Sequence, residues 1–206
     1  MIPKSQIFSL FSVPVYSTIV DISDDIKNKI TNLQYRDIES KNGKMSISTK
    51  LLNEIEFEKL KDLIDFEVQQ YARNIFQSTD SIEFFLTTSW AMKHDKGNWS
   101  DSHNHANSVI SGIFYIQVDK NSGDLIFNKK TNNLTEGLLE IPSKIYNQFN
   151  SHKFTIKPEN NQLIIFPSNL PHEVEKSQSN NARYCIAFNY FVKGIFGRNE
   201  SELVLT

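Results

Sequence analysis

The chain has 206 residues, a length that suits one domain with a substantial hydrophobic core. Hydrophobic residues make up 39% and charged residues 22%, which is typical of a globular protein and argues against a disordered one. The net charge of -2, with no cluster of Lys or Arg, argues against a nucleic-acid or membrane partner. The single cysteine, Cys185, excludes an internal disulfide and favours a reducing, cytoplasmic location.

The N-terminal part, residues 1–80, is predicted to supply a strand and two supporting helices. Residues 1–20 are moderately apolar but interrupted by serines and Pro14, which favours an early strand over a signal peptide. No apolar run approaches the roughly 18 residues that a membrane-spanning helix needs.

Both predicted helices have a candidate cap and an apolar face. Ser23 is a suitable N-cap for the first helix. Its apolar face is predicted to contain Ile26, Ile30 and Leu33. Asn53 and Glu56 resemble a capping box for the second helix. Its apolar face is predicted to contain Leu60, Leu63, Ile64, Tyr71 and Ile75.

From residue 82 the apolar pattern changes to a period of two, which indicates β-strands. The predicted strands are 84–92, 109–118, 123–127, 155–156, 163–166 and 183–192. Many short strands with few helices favour a mainly β (α+β) fold, either a β-sandwich or a jelly roll. The prediction is a single domain over 1–206, with its jelly-roll core at 82–192.

Two histidines, His103 and His105, stand one residue apart before an apolar strand. In an extended segment, alternate side chains share a face, so both can reach one metal ion while Asn104 points away. Two solvated loop histidines are the alternative interpretation of the same pattern.

A third histidine, His172, follows a predicted buried strand and a loop bounded by Pro167 and Pro171. The two prolines restrict the loop and place the histidine at the end of a strand. This residue could serve as a metal ligand or as an ordinary turn histidine.

The last long strand has two different faces. Its bulky face is predicted to be Tyr184, Ile186, Phe188, Tyr190 and Val192. Its smaller, more polar face is predicted to be Arg183, Cys185, Ala187 and Asn189. The guanidinium of Arg183 is suited to bidentate binding of a carboxylate, although a surface charge at a strand start is the commoner role of arginine.

These features together resemble the 2-oxoglutarate/Fe(II)-dependent oxygenase superfamily, in particular a group of oxygenases related to prolyl hydroxylases. Residues 84–192 contain the resembling motifs, which are "SW", "HNHANSVISGIFYI", "SGDLIF", "NNQLIIFPSNLPHEVE" and "RYCIAFNY". The resemblance implies a double-stranded β-helix, which is a jelly roll. It also implies an Fe(II) ion held by three protein ligands with other positions left for cosubstrate and oxygen.

The resemblance also implies roles for individual residues. His103 and His172 take the two histidine ligand positions, and Arg183 takes the position that binds the distal carboxylate of 2-oxoglutarate. Tyr115 matches a tyrosine that hydrogen-bonds the same carboxylate, although a plain core aromatic is an equal alternative. The implied reaction hydroxylates a substrate C–H bond with O₂ as cosubstrate while 2-oxoglutarate becomes succinate and CO₂; ascorbate is expected as a supporting reductant.

The chain departs from the superfamily pattern at two positions. His105 stands where Asp or Glu is usual, so we expect His105 to be the third metal ligand, with Asp101 as the alternative. Cys185 stands where a serine frequently accompanies the carboxylate-binding arginine. Met92 and His94 are further candidates for lining the pocket, and for His94 a structural role is favoured.

The sequence is also compatible with two other functions. One is a cupin-like jelly roll that binds metal or ligand without catalysis. Another is a zinc hydrolase with Glu173 as a base. For an oxygenase, the expected partners are the small-molecule cosubstrate and a peptide or small-molecule substrate, with a prolyl residue as the leading candidate. Residues 128–151 are interpreted as either a substrate lid or a disordered excursion.

Overall fold

The computed structural model of the chain describes residues 12–40, 42–129 and 142–206. The α-helices of these residues are α1 (Asp24–Thr31) and α2 (Glu58–Phe76). The strands are β1 (Tyr16–Ile19), β2 (Tyr35–Asp37), β3 (Lys44–Ser46), β4 (Glu83–His94), β5 (Ser100–His103), β6 (Ile110–Gln117), β7 (Leu125–Asn128), β8 (Lys153–Ile156), β9 (Gln162–Pro167), β10 (His172–Val174), β11 (Arg183–Phe196) and β12 (Leu203–Leu205).

The first helix begins where the sequence predicts it. Ser23 is the N-cap of α1, and its Oγ accepts a hydrogen bond from the backbone N–H of Ile26 at 3.4 Å. Ile30 is fully buried, and Ile26 and Leu33 pack against the same core. The cap and the apolar face of α1 are therefore confirmed.

The predicted capping box of the second helix is wrong. α2 begins at Glu58 rather than after Asn53, and its N-cap, Phe57, makes no side-chain capping bond. Residues 51–53 and 55–57 instead form two 3₁₀ turns. Each turn buries large apolar side chains, among them Leu52 and Phe57, and we infer that this burial outweighs the few hydrogen bonds of an exposed cap.

The apolar face of α2 differs in part from the prediction. Its buried residues are Leu60, Ile64, Val68, Tyr71 and Ala72. Leu63 and Ile75, which are predicted on the same face, are each 42% exposed. Leu63 lies at the edge of the buried stripe, and Ile75 lies in the last turn of the helix.

The larger sheet has the strand order β1-β9-β6-β11-β4-β3-β2, with β12 also paired to β11. β11 lies at its centre and pairs with β4 on one side and β6 on the other. The bulky side chains of β11 contribute to the core that contains the apolar faces of both helices. The two-faced pattern predicted for this strand is therefore confirmed.

The smaller sheet has the strand order β5-β10-β7-β8. A second apolar cluster is formed by Tyr115, Leu125, Phe127, Ile164, Phe166, Leu170, Val174 and Cys185. This cluster joins side chains of both sheets, which confirms the predicted mainly β jelly roll with N-terminal helices. Among the described strands, the two sheets are separate and do not close into one barrel.

Other predictions concern parts of the chain or properties that the fold does not test. Among the described residues, no helix is long and apolar enough to cross a membrane. Residues 130–141 of the predicted lid, and residues 1–11 of the predicted early strand, lie outside the described residues. The single-domain organisation and the cytoplasmic location stay predictions.

Candidate metal centre

Three histidines from different parts of the sequence converge at one end of the smaller sheet. His103 on β5 and His172 on β10 are direct register partners, and their ring centroids are 4.4 Å apart. His105 follows in the adjoining loop, with its centroid 5.1 Å from that of His172. One ligand atom from each ring lies within 4.8 Å of the others, close enough for all three to bind one metal ion.

Each of these rings has its Nδ1 atom engaged by a neighbouring oxygen. Nδ1 of His103 is 2.7 Å from the carbonyl oxygen of Asp101, and Nδ1 of His172 is 3.0 Å from that of Leu170. A carbonyl oxygen accepts only, so each Nδ1 carries the proton and each Nε2 keeps its lone pair for a metal. The histidines of metal sites commonly have this arrangement.

The protein environment keeps the two more buried histidines neutral. Burial lowers the pKa of His172 to about 3. Burial also lowers the pKa of His105, and the hydrogen bond to Asn189 opposes this shift. Neutral imidazole is the form that binds a metal ion, so both rings are ready to act as ligands near neutral pH.

The carboxylates near this centre have other partners. Asp101 accepts hydrogen bonds from Trp99 Nε1 at 3.0 Å and from Asn42 Nδ2 at 3.3 Å. Glu173 accepts from Lys153 Nζ at 2.7 Å. In the part of the chain that the structure describes, the ligand group contains no carboxylate. The geometry thus favours His105 over Asp101 as the third member of the group, and the carboxylate of Glu173 is engaged by Lys153.

Arg183 is almost completely buried, at 1% exposure. Its two terminal guanidinium nitrogens, Nη1 and Nη2, are hydrogen-bonded to the protein. Nη1 donates to the carbonyl oxygens of Ser122 at 3.3 Å and Gly123 at 3.1 Å, and Nη2 donates to Nδ1 of His94. Within the described residues, Nε has no hydrogen-bond partner. One N–H group of a buried cation therefore has no partner there, which a buried anion could provide.

Tyr115 is a second buried donor without a partner in the described residues. Its ring is fully buried beside Cys185, its register partner on β11, and its hydroxyl makes no hydrogen bond there. Burial raises the pKa of Tyr115, and the nearby Arg183 opposes this shift. A buried hydroxyl that stays protonated and a buried guanidinium are a suitable donor pair for a carboxylate.

His94 and Met92 on β4 are the register partners of Arg183 and Cys185 on β11. His94 is 2% exposed, and its neutral Nδ1 accepts from Arg183, so it supports the guanidinium directly. Met92 is the register partner of Cys185 and packs against the cluster between the sheets. Both residues therefore border the surroundings of Arg183.

Three aromatic neighbours of the histidines lie within the sequence motifs, but the motifs assign them no role at the site. Trp90 lies with its ring centroid 6.0 Å from that of His105, and Phe166 lies 4.7 Å from His172. Phe127 is the register partner of His172 on the side opposite His103. These aromatic rings place apolar surface next to the histidines. The strand pattern predicts that these aromatic residues are buried. It does not place them next to the histidines, because aromatic residues on a buried strand are ordinary core residues.

A family model described as "Putative 2OG-Fe(II) oxygenase" matches residues 88–189. No curated protein matches the chain. The matched region includes all three histidines, Arg183 and Tyr115.

Solved structures share the fold at low sequence identity. HygX from Streptomyces hygroscopicus with nickel and 2-oxoglutarate bound has 9% identity and a TM-score of 0.62, covering 86% of this chain and 82% of that one. A Pseudomonas putida prolyl-4-hydroxylase has 12% identity and a TM-score of 0.56, covering 88% and 94%. A Trichoplax adhaerens prolyl hydroxylase in complex with a hypoxia inducible factor peptide fragment has 15% identity and a TM-score of 0.56, covering 86% and 83%.

Proposed function

Because a 2OG-Fe(II) oxygenase family model matches residues 88–189, we propose that the chain is a 2-oxoglutarate/Fe(II)-dependent dioxygenase that hydroxylates a substrate C–H bond. The observation that carries this proposal is the convergence of His103, His105 and His172 on one point. In the proposed reaction, O₂ provides one oxygen atom to the product and one to succinate, as 2-oxoglutarate loses CO₂.

The three histidines would hold the metal through their Nε2 atoms. Bound Fe(II) would supply the redox chemistry that couples O₂ reduction to the oxidation of 2-oxoglutarate and substrate. Because all three ligands are neutral, the protein leaves the full +2 charge of the ion uncompensated. The site therefore favours an anionic cosubstrate more strongly than a site with one carboxylate ligand would.

Arg183 and Tyr115 would bind the distal carboxylate of 2-oxoglutarate. Among the described residues, the Nε–H of Arg183 and the hydroxyl of Tyr115 have no hydrogen-bond partner, and these two donors would serve the carboxylate. Both groups are buried, so an ion pair with Arg183 would be screened weakly by water. The contacts from Nη1 and Nη2 to the protein would hold the guanidinium in place before the cosubstrate arrives.

For the substrate, a prolyl residue in a peptide is the first class to test. The support is the fold shared with the prolyl hydroxylases of Pseudomonas putida and Trichoplax adhaerens. A small molecule is the second class, since HygX also has a structure with hygromycin B bound. Mass spectrometry for products heavier by 16 Da across a set of proline-containing peptides and small molecules would distinguish the two classes.

The test of the activity is the turnover of 2-oxoglutarate to succinate. We expect turnover that requires Fe(II) and is lost in His172→Ala and Arg183→Ala. Lys153→Ala is a matched control, because Lys153 lies on the same small sheet, is largely exposed and bonds through Nζ to Glu173 rather than to a histidine of the proposed site. Normal turnover in His172→Ala or in Arg183→Ala would exclude the role proposed for the residue that was replaced.

A cupin-like module that binds metal or ligand without catalysis is a second candidate. The observation in its favour is that Arg183 already has three partners in the protein, which leaves few donors for a cosubstrate. Such a module would bind metal at the three histidines but not 2-oxoglutarate. An anaerobic titration with 2-oxoglutarate, followed by the metal-to-cosubstrate charge-transfer absorption, separates the two functions.

A further inference from the structure

The side-chain amide of Asn189 connects His105 to the centre of the larger sheet. Oδ1 of Asn189 lies 2.5 Å from Nδ1 of His105. The same Oδ1 accepts from Ser111 Oγ at 2.8 Å, and Nδ2 donates to Thr88 Oγ1 at 2.9 Å. Asn189 is buried, at 9% exposure. Both acceptor positions of Oδ1 and one of the two Nδ2 protons are thus occupied by named partners.

The position of Asn189 on β11 holds this amide rigidly. Thr88 on β4 and Ser111 on β6 are its register partners on the two neighbouring strands. Each of them also bonds to the amide, one at the nitrogen and one at the oxygen. The amide is therefore fixed from both neighbouring strands of the larger sheet.

A chain of serine hydroxyls extends the same network to the loops that contain the ligands. Ser111 Oγ is 2.7 Å from Ser168 Oγ, and Ser168 Oγ donates to Ser108 Oγ at 2.7 Å. The carbonyl oxygen of Ser168 accepts from the backbone N–H of His105 at 2.9 Å. The loop of His105 is thereby tied to the loop that leads to His172.

The three histidines differ in how their rings are oriented. His103 and His172 bond to backbone carbonyls two residues away, so their own local segments set the ring orientation. His105 bonds to a side chain 84 positions later in the sequence. Its orientation therefore depends on a single residue that can be changed without altering the loop.

We propose that Asn189 is the positioning residue that makes His105 a metal ligand. Because Oδ1 accepts from Nδ1–H, the neutral ring of His105 keeps its lone pair on Nε2. In this way Asn189 allows a histidine to occupy the ligand position where the superfamily usually has a carboxylate. This inference rests on the metal centre of the proposed function and adds a residue to it.

The experiment compares Co(II) binding by the whole chain and its variants under anaerobic conditions. Asn189→Leu removes the acceptor at similar volume, whereas Asn189→Asp keeps an acceptor. Thr87→Val is the matched control, because Thr87 Oγ1 donates to the backbone oxygen of Asn189 at 3.0 Å and does not contact the amide. Circular dichroism verifies that each variant is folded.

Two readouts report on the role of Asn189. The Co(II) dissociation constant, measured from the d–d absorption, is expected to rise about 10–100-fold in Asn189→Leu and to stay within a few-fold in Asn189→Asp and Thr87→Val. In NMR spectra of the Co(II) protein, the exchangeable ring N–H signal of His105 is identified by its loss in His105→Gln. We expect this signal to be lost in Asn189→Leu and kept in the other two variants.

The possible failures are distinguishable. A wild-type chain that does not bind Co(II) would exclude the metal centre of the proposed function. A wild-type chain that binds Co(II), together with a folded Asn189→Leu variant of unchanged affinity and an unchanged His105 signal, would overturn the role of Asn189 alone.

Discussion

Arg183 and His94 are register partners on the adjacent strands β11 and β4, and Nη2 of Arg183 donates to Nδ1 of His94. Both side chains are buried, with exposures of 1% and 2%. Burial, together with the positive charge of Arg183, lowers the pKa of His94 from 6.5 to about 3. The imidazole therefore stays neutral in the folded protein, which allows it to accept the hydrogen bond.

This pair predicts how stability depends on pH. Below about pH 6.5 the unfolded chain binds a proton at residue 94, whereas the folded chain does not until about pH 3. The free energy of unfolding should therefore fall with decreasing pH across this window, with up to about 1.4 kcal/mol per pH unit from this residue. Above pH 7.5 His94 is neutral in both the folded and the unfolded state, so it no longer contributes to the pH dependence of the free energy of unfolding.

The measurement is urea unfolding of the metal-free protein at pH 8, 7, 6 and 5, for the wild type and His94→Asn. The asparagine Oδ1 can accept from Arg183 but does not titrate. We expect the two curves of unfolding free energy against pH to diverge below pH 6.5, with the wild type steeper. Parallel curves would contradict the neutral, buried state of His94.

Strands with a regular apolar period can be predicted from the sequence, and short polar strands cannot. β11 alternates between bulky and small side chains over ten residues, so the amino-acid pattern alone indicates its two faces. β5 has the sequence SDSH and is mostly exposed, and its polar composition indicates a turn. Its strand conformation depends on pairing with β10, which is more than 60 residues away. Such pairing leaves no local pattern.

The residues of the candidate site can be predicted from the sequence, but the contacts that orient them cannot. The histidines and Arg183 stand in motifs with recognisable spacing, and the structure brings the histidines together. The contacts of Asn189 with His105 and of His94 with Arg183 connect residues 84 and 89 positions apart. Such contacts depend on strand order and register, which the sequence pattern of a single strand does not determine.

Cys185 provides a probe of the buried surroundings of Arg183. Its thiol is 2% exposed, and burial raises its pKa to about 11. Since only the thiolate is alkylated, we expect iodoacetamide at pH 8 to label the native protein at least about 100-fold more slowly than the urea-unfolded protein. Mass spectrometry measures the labelling without ambiguity, because the chain has one cysteine. Rapid labelling of the native protein would show that the thiol is accessible.

Gly112 on β6 is predicted to tolerate no side chain. A Cβ there would collide with the ring of Phe188 and would lie 2.8 Å from the carbonyl oxygen of Ile164. Because the carbonyl belongs to the paired strand β9, it cannot move freely. We expect Gly112→Ala to lower the free energy of unfolding by about 1–3 kcal/mol, measured by urea denaturation.

A double variant examines the cause of this loss. Phe188→Leu removes the ring that the new methyl group would meet. Gly112→Ala should therefore cost less in the Phe188→Leu background than in the wild type. If Gly112→Ala lowers the free energy of unfolding equally in both backgrounds, the loss is caused by the contact with the strand backbone rather than by the contact with the ring.

The identity of the third metal ligand can be tested by comparing His105 with Asp101. The carboxylate of Asp101 accepts from Trp99 and Asn42, whereas the ring of His105 lies among the other two histidines. We expect His105→Ala to weaken Co(II) binding by about 100-fold or more, since a lost ligand costs more than a lost supporting contact. Asp101→Ala should change the affinity by no more than a few-fold, because the backbone carbonyl that holds His103 remains.

Anaerobic Co(II) titration measures both affinities, and the intensity of the d–d bands reports the coordination number. Asp101→Asn serves as the control for the loss of the exposed hydrogen bonds, since it keeps an oxygen acceptor near Trp99 without a negative charge. If Asp101→Ala and Asp101→Asn both lose the metal while His105→Ala keeps it, the carboxylate is the third ligand. In that case the site would have one anionic ligand and the usual +1 charge with Fe(II).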